Sequence, residues 1–234
     1  GVLLDWGELD PSYRDQYSTL IAEMGDSLHA SGLELWLNIP IGGGLQAFDL
    51  DTLSAVVDRF VAPLFDENAE GDEAPGPIAS QQWFSDWLDL LLARGEASRW
   101  VIAIGNFGYD WPSGRTPRMV SFADVMALAR NSGVKNVDIS PPFFEPHFYY
   151  TQNGIEHSVW FQDAVTFRNQ KRRVDGSGAG GLAVFRLGTE DPSIWRLLES
   201  KVESSAAEFA VVPPSDSLAQ IGEGEFVKFR KERL

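Results

Sequence analysis

Short runs of apolar residues alternate with helical patterns along most of this chain, and this alternation restricts the fold more than any other feature. Short, nearly continuous apolar runs are typical of strands buried on both faces, and strands that alternate with helices form β-α units around a parallel sheet. The sequence therefore predicts an α/β domain. The predicted strands are Val2–Leu4, Leu33–Ile39, Phe60–Phe65, Trp100–Gly105 and Gly181–Leu187. The predicted helices are Pro11–Ser31, Ser80–Ala93, Phe122–Arg130, Ala164–Arg172 and Ile194–Phe209.

One stretch, from Val134 to Phe161, departs from this alternation. It contains two strand-like segments on either side of Asn153-Gly154, a pair of residues typical of a two-residue hairpin turn. Nearer the end of the chain, turn-forming residues dominate and a short apolar and basic piece follows. We therefore expect one domain over residues 1–212, with a small β-rich insertion at about 134–161. Residues 213–234 are expected to be a linker or the start of a following domain.

The composition argues against several classes of function. The chain has 34 acidic and 19 basic residues, a formal net charge of −15. This field repels phosphate backbones and anionic lipids, so nucleic acid is not an expected partner. No apolar run approaches the ~20 residues of a spanning helix, so we expect no direct membrane insertion by this segment. With no cysteine and three histidines that lack metal-ligand spacing, neither a metal nor a cofactor is expected.

The residues after the first predicted strand distinguish two parallel-sheet folds. A doubly wound nucleotide-binding sheet carries a phosphate-binding glycine turn there, whereas this chain has Asp5-Trp6-Gly7-Glu8. Together with the strand, this segment resembles the fourth-strand motif Asp-x-x-Asp-x-Asp-x-Glu of glycoside hydrolase family 18. Four further segments resemble family motifs and follow in the family's order. Pro63–Asp66 resembles the sixth strand and Gly105–Trp111 the seventh. Val159–Ala164 resembles the end of the insertion and Gly181–Pro192 the eighth strand.

The resemblance covers nearly the whole chain and implies a (β/α)8 TIM-type barrel. Here the barrel would lack about its first three strands and carry a small β-rich insertion between strands seven and eight. Residues 75–84 and 221–225 resemble a subgroup of bacterial modules that accompany a polysaccharide deacetylase and a membrane glycosyltransferase. Such a module would bind N-acetylglucosamine-containing polysaccharide in the periplasm or outside the cell, within a larger membrane-anchored protein that has a neighbouring deacetylase domain.

The resemblance leaves catalysis open. In the family, a Glu protonates the glycosidic oxygen while the sugar's own acetamide attacks the anomeric carbon, and a neighbouring Asp orients that acetamide. The Asp is retained as Asp5, but the Glu falls on Gly7, with Glu8 adjacent. Because side chains alternate along a strand, Glu8 points away from the direction of Asp5 unless the strand ends or bulges at Gly7. The chain is thus either a binding module with weak or no hydrolysis, or an active glycoside hydrolase with Glu8 as the acid. A purely structural domain is a third reading.

The family also suggests which residues touch the sugar. Its sixth-strand Asp contacts the acetamide, its aromatic rings stack on sugar rings, and Phe185 stands where it usually has a Trp that floors the cleavage subsite. The candidate catalytic residues are Asp5 and Glu8. The candidate substrate-binding residues are Asp66, Asn106, Tyr109, Asp110, Trp111, Trp160 and Phe185.

Overall fold

A computed structural model describes residues 1–7, 9–72, 74–139 and 141–199 of the chain. The candidate acid Glu8, the predicted linker at 213–234 and the end of the last predicted helix lie outside the described residues. The chain forms two compact units, which are built from alternating stretches of sequence. Unit 1 contains residues 1–64, 87–103 and 177–183, whereas unit 2 contains residues 65–86, 104–176 and 184 onward.

The strands and helices are numbered in chain order. The strands are β1 (Val2–Leu4), β2 (Leu35–Asn38), β3 (Arg59–Pro63), β4 (Trp100–Gly105), β5 (Gly108–Pro112), β6 (Arg118–Val120), β7 (His147–Gln152), β8 (Ile155–Phe161) and β9 (Gly181–Phe185). The helices are α1 (Arg14–His29), α2 (Leu50–Leu53), α3 (Gln81–Leu92), α4 (Phe122–Asn131), α5 (Ala164–Asp175) and α6 (Ile194–Glu199).

Five strands form one sheet in the order β1-β2-β3-β4-β9. The pairs β1–β2, β2–β3 and β3–β4 are parallel, and in register Leu4 lies beside Leu37, which lies beside Phe60, which lies beside Trp100. These strands match the five predicted ones to within two residues at each end. Strands that are neighbours in sequence are also neighbours in the sheet, as in a (β/α)8 barrel, so the predicted α/β fold class is confirmed.

Unit 1 also contains helix α1, which begins after a short 3-10 turn at Pro11–Tyr13. The Asp10 carboxylate caps this turn by accepting a hydrogen bond from the Ser12 N–H at 2.8 Å. The helix buries Tyr17, Ile21 and Gly25, which are four residues apart and therefore lie on one face. This spacing explains why the segment was recognisable as a helix from its apolar pattern.

Unit 2 contains a second sheet, which is antiparallel and has the order β6-β5-β8-β7. Strands β7 and β8 form the predicted hairpin, and both turn residues have a positive φ, 52° at Asn153 and 76° at Gly154. The β-rich insertion is therefore confirmed, but the sheet is larger than predicted because β5 and β6 join it from before residue 134. Strand β4 ends at Gly105, so the following Gly108–Pro112 segment belongs to this second sheet and not to the parallel one.

Helix α4 covers one face of the second sheet. A capping box fixes its start, because the Ser121 hydroxyl accepts a hydrogen bond from the Asp124 N–H while the Asp124 carboxylate accepts one from the Ser121 N–H. The helix packs its apolar residues onto a core shared with β7 and β8, which includes Phe122, Val125, Met126, Phe148, Val159 and Phe161. This core leaves the other face of the sheet for the residues described below.

Candidate functional site

The segment that resembles the fourth-strand motif leaves its strand early. Strand β1 ends at Leu4, and Gly7 has a φ of 72°, in the left-handed region that favours glycine. Among the described residues other than the chain neighbours of Gly7, no heavy atom lies within 4 Å of the position that a Cβ on Gly7 would occupy. The alternation of side chains along β1 therefore does not extend to position 8, and it does not fix the direction of a side chain there.

The predicted catalytic residue Asp5 is held at the end of β1 by a residue of the next strand. Its Oδ1 atom accepts a hydrogen bond from Asn38 Nδ2 at 2.9 Å and from the Gly7 N–H at 3.3 Å. The nearby Tyr17 is buried, and burial together with the negative charge of Asp5 raises the pKa of its phenol to about 12. Sequence reasoning missed Asn38, although it is the polar residue that ends the apolar run of β2.

In unit 2, the structure brings Asp66 and Tyr109 together. The Tyr109 hydroxyl donates a hydrogen bond to Asp66 Oδ1 at 3.1 Å. Burial raises the pKa of both groups, and for Tyr109 the neighbouring Asp66 carboxylate raises it further. Asp66 itself has a φ of 64°, a conformation that non-glycine residues seldom adopt and that is often found at functional sites. Two residues from different predicted motifs thus form one polar pair.

Aromatic rings surround this pair. Phe185 stacks on Phe65 with ring centroids 4.9 Å apart and an interplanar angle of 12°. Phe107 meets both rings edge-on and lies 5.5 Å from the Tyr109 ring. Phe185 is 41% exposed, so its place in this cluster leaves part of its ring open to a ligand. Of these rings, only Phe65 and Phe107 were not among the predicted site residues.

The buried Asn106 side chain has an unusual environment. Neither its Oδ1 nor its Nδ2 atom has a hydrogen-bond partner in the part of the chain that the structure describes. Its backbone N–H donates to the carbonyl oxygen of Phe185 at 2.6 Å, which ties it to the aromatic cluster. A buried amide without partners costs free energy, so its presence here is consistent with a role beyond packing.

The two sheet faces separate the remaining predicted residues. Tyr109 lies opposite Trp160 in the register, and Trp111 lies opposite Ser158, so both predicted tryptophans share a face with Tyr109. Asp110 points to the other face. There it accepts hydrogen bonds from His157 Nδ1 at 2.8 Å and from the Tyr150 hydroxyl at 3.1 Å. The structure therefore does not bring Asp110 to the Asp66–Tyr109 pair.

One buried residue that holds the segment following Asp66 was not predicted. Glu145 is 0% exposed, and its carboxylate accepts hydrogen bonds from the Ile78 N–H at 2.6 Å, the Ala79 N–H at 2.9 Å and Gln162 Nε2 at 2.8 Å. Burial raises its pKa to about 8, against the lowering effect of the two backbone N–H groups. Glu67 accepts a hydrogen bond from the next N–H, that of Ser80, at 2.6 Å. These two carboxylates fix the segment that follows Asp66.

The described residues contain no group of three or more His, Cys, Asp or Glu side chains that could hold a metal ion. Among the helices of the same residues, none combines the length and the apolar character that crossing a membrane requires.

The fold and these residues define a chitinase-like α/β protein. No family model matches the chain. The cortical fragment-lytic enzyme of Bacillus cereus is 34% identical over 165 residues, which are 67% of this chain and 37% of that protein. The uncharacterized glycosylase YvbX of Bacillus subtilis is 20% identical over 207 residues, 85% of this chain and 60% of that protein.

Solved structures that are similar to this chain include chitinases. A chitinase from Chromobacterium violaceum has a TM-score of 0.75 and 26% identity, and the match covers 89% of this chain and 66% of that one. A class V chitinase from Pseudomonas fluorescens also has a TM-score of 0.75, with 22% identity over 86% of this chain and 66% of that one, and supports the fold alone. The chain is of the glycoside hydrolase family 18 type. It spans 37–60% of the length of the curated relatives just described.

Proposed function

We propose that this chain is a carbohydrate-binding module of the family 18 type, which holds N-acetylglucosamine-containing polysaccharide with weak or no hydrolysis. The observation that carries the proposal is the contrast between two motifs. The Asp66–Tyr109 pair, which corresponds to the acetamide-binding part of the family, is assembled. Gly7 stands where the family has its acid and offers no carboxylate.

The polar pair suits an acetamide group. The Tyr109 hydroxyl donates a hydrogen bond to one oxygen of Asp66. The second carboxylate oxygen is therefore left as an acceptor for an amide N–H. The raised pKa of Tyr109 keeps its hydroxyl protonated and able to donate. The stacked rings of Phe65 and Phe185 add an apolar surface of the kind on which a pyranose ring packs.

The missing acid would suppress hydrolysis even when the sugar is bound. Substrate-assisted attack still requires a proton on the leaving oxygen, and general acid catalysis contributes about 10²–10⁴-fold to such reactions. With Gly7 in the acid's position, we expect this factor to be lost. The expected activity is therefore binding with little turnover.

A second candidate function is hydrolysis with Glu8 as the acid. The observation in its favour is that β1 ends at Leu4 and that Gly7 adopts a left-handed conformation. A turn of this kind removes the alternation that would direct Glu8 away from Asp5. In this mechanism, Glu8 delivers the proton to the leaving oxygen as the acetamide oxygen attacks the anomeric carbon, and Asp5 orients the acetamide.

The cellular setting is also a proposal. Several similar proteins are named as chitinases or as spore cortex-lytic enzymes, which supports a periplasmic or extracellular role. We place the chain in a larger membrane-anchored protein with a neighbouring deacetylase domain, for which it would position the polysaccharide. The motif resemblance at residues 75–84 supports this placement.

The experiment combines binding and turnover on the full chain. Calorimetry with a chito-oligosaccharide should give an affinity that falls about 10–100-fold in Asp66→Ala and in Tyr109→Phe, because each loses a hydrogen bond that involves a charged group. Tyr13→Phe, which changes an exposed tyrosine of unit 1, is the matched control and should bind as the wild type does. Equal affinities for all four proteins would contradict the proposal.

Turnover of an aryl chito-oligosaccharide separates the two candidate functions. The binding module should show little or no release of the aryl group, and Glu8→Gln should leave that rate unchanged. Measurable wild-type turnover that Glu8→Gln abolishes would establish the second function instead.

A further inference from the structure

Two short arms of unit 2, residues 66–68 and residues 77–80, pair with each other. The Glu67 N–H donates a hydrogen bond to the Ile78 carbonyl oxygen at 2.8 Å. The Glu67 carboxylate also accepts one, at 2.6 Å, from the backbone N–H of the last residue of the second arm. The first arm starts at Asp66, so its pairing with the second arm fixes the backbone next to this site residue.

Ile78 connects the second arm with the other member of the Asp66–Tyr109 pair. Its side chain is fully buried and belongs to a core cluster that also contains Tyr109, Trp111 and Trp160. Its backbone is used on both sides, because the carbonyl oxygen bonds to the first arm and the N–H bonds to Glu145. The position of Ile78 therefore affects the setting of both residues of the pair.

Side chains from outside the two arms hold the second arm by its backbone. Glu145, which lies two residues before β7, accepts the N–H groups of Ile78 and Ala79. Gln170 of α5 donates a hydrogen bond to the Ala79 carbonyl oxygen at 3.1 Å. Gln162, which directly follows β8, donates one to Glu145 at 2.8 Å. Because a glutamine amide does not titrate, pH acts on this anchor through Glu145.

The environment of Glu145 disfavours its charged form. Burial raises the pKa of its carboxyl group to about 8, the two backbone N–H groups oppose this rise, and the negative charges of Glu67 and Asp163 add to it. Titratable groups on the surrounding elements also include His147, whose Nδ1 atom lies 3.1 Å from the Glu145 carbonyl oxygen. Gln162 Oε1 has no partner among the described residues, and a flip of this amide would give the protonated Glu145 an acceptor.

Opening of the second arm would relieve this burial. Water would reach Glu145, and the pKa of its carboxyl group would return towards the ordinary value of 4.5. The closed arrangement therefore holds the proton more tightly than the open one. The contribution of this proton to closure is fully present below about pH 4.5 and is lost as the pH rises towards 8.

We propose that Glu145 is a positioning residue of the Asp66–Tyr109 pair, and that its protonation closes the second arm and assembles the pair for the sugar. This inference rests on the proposed function. Because Glu145 is 0% exposed, it acts through Ile78 instead of touching the sugar. Affinity should therefore fall as the pH rises, and sugar binding, which selects the closed arrangement, should take up a proton.

Calorimetry on the full chain with the hexamer of N-acetylglucosamine, at pH 6 and at pH 8, tests this coupling. The wild type should bind about tenfold more weakly at pH 8, because the apparent affinity scales with the fraction of closed arms. Glu145→Gln has no proton to release, so its affinities at the two pH values should be equal. Ionisation of Asp66 works in the opposite sense, since it creates the acceptor for the acetamide N–H.

Two control variants should each keep the wild-type ratio of affinities between pH 6 and pH 8. Glu156→Gln changes an exposed glutamate of β8 in the same unit. His147→Gln removes the neighbouring ring that titrates in this pH range. Because the ratio is taken within each protein, a general loss of affinity or stability does not affect it.

Proton uptake is a second measurement, and it can be made on the wild type alone. Heats of hexamer binding at pH 7 in phosphate and in Tris, which differ in ionisation enthalpy, give the number of protons exchanged. The wild type should take up as much as about one proton, and Glu145→Gln none.

The outcomes separate this inference from the proposed function. Wild-type binding that is equal at pH 6 and pH 8, without proton uptake, would overturn the role of Glu145 and leave the proposed function intact. A Glu145→Gln variant that keeps the pH dependence would also overturn it, because another group would then be responsible. If the wild type binds no hexamer at either pH, the proposed function and this inference are both wrong.

Discussion

Glu145 allows a sharp test of how buried hydrogen bonds fix the segment that contains Ile78 and Ala79. Its carboxylate accepts three hydrogen bonds in an environment with no solvent exposure. In Glu145→Gln the shape is conserved, but one oxygen becomes an NH₂ group. If the remaining oxygen keeps the Ile78 N–H, the NH₂ group faces the Ala79 N–H and the amide of Gln162, which are both donors.

The expected magnitude follows from these contacts. Gln162 Oε1 is buried and has no hydrogen-bond partner among the described residues, so a flip of this amide would give the new NH₂ group an acceptor. The Ala79 N–H would remain without an acceptor, and a buried unsatisfied N–H costs about 1–3 kcal/mol. Glu145→Gln should therefore lower the free energy of unfolding by about 1–3 kcal/mol at neutral pH. Glu145→Ala removes all three acceptor contacts and should cost more.

The pH dependence adds a second measurement. Burial raises the folded-state pKa of Glu145 to about 8, above its ordinary value of 4.5. The folded state therefore holds this proton more tightly than the unfolded state does. Its contribution to stability is fully present below about pH 4.5 and is lost as the pH rises towards 8. The stability difference between wild type and Glu145→Gln should consequently widen from pH 8 to pH 5.

Urea unfolding, followed by tryptophan fluorescence at several pH values, measures both effects. Glu156→Gln is the matched control, because Glu156 is an exposed glutamate of β8 in the same unit, and it should change stability little. Equal costs for Glu145→Gln and Glu156→Gln would refute the argument from burial. A stability difference that narrows towards pH 5 would show that the N–H donors outweigh burial and lower the pKa of Glu145.

Two further predictions concern the elements that frame the site. Ser121→Ala should lower the free energy of unfolding by about 1 kcal/mol in urea unfolding, because the start of α4 loses its capping hydroxyl. Ser132→Ala at the other end of the helix is the control, and an equal loss there would count against the capping argument. Asn153→Ala should also cost about 1 kcal/mol, because alanine tolerates the positive φ of this turn poorly. Asn153→Gly should be nearly neutral, and a larger loss in the glycine variant would contradict this reasoning.

Much of the parallel sheet could be predicted because local composition identifies its strands. Strands such as Trp100–Gly105 are buried throughout and read as continuous apolar runs. The hairpin was equally visible, since Asn153-Gly154 suits a turn that requires positive φ at both positions. In both cases, a short window of sequence contains the physical reason for the element.

The extent of the second sheet could not be predicted in the same way. Strand β5 follows β4 after only two residues, and its identity depends on pairing with β8 far along the chain. One signal was present in Gly108, where a Cβ would lie 2.6 Å from the carbonyl oxygen of Trp160. Only a glycine permits this close approach, but the sequence does not reveal which strand approaches.

In the candidate site as well, residues in local motifs could be predicted, whereas residues that depend on distant partners could not. Asp66 and Tyr109 were found from motifs that resemble a family, and the structure joins them. Asn38 and Glu145 were missed because their roles come from partners distant in sequence. The alternation argument for Glu8 applied only to a strand that continues to Gly7, and β1 ends at Leu4, so this argument does not decide between the two alternatives for Glu8.

The position of the second sheet within the chain has a consequence for the order of folding. Strands β4 and β9 are neighbours in the parallel sheet, yet all of the antiparallel sheet lies between them in sequence. Bringing the ends of a long flexible loop together carries an entropy cost that grows with the length of the loop. The antiparallel sheet contains two pairs of strands that are close in sequence, β5–β6 and β7–β8, and such contacts generally form fast. Its early formation would shorten the effective loop, and β9 would then dock beside β4 as a late step of folding.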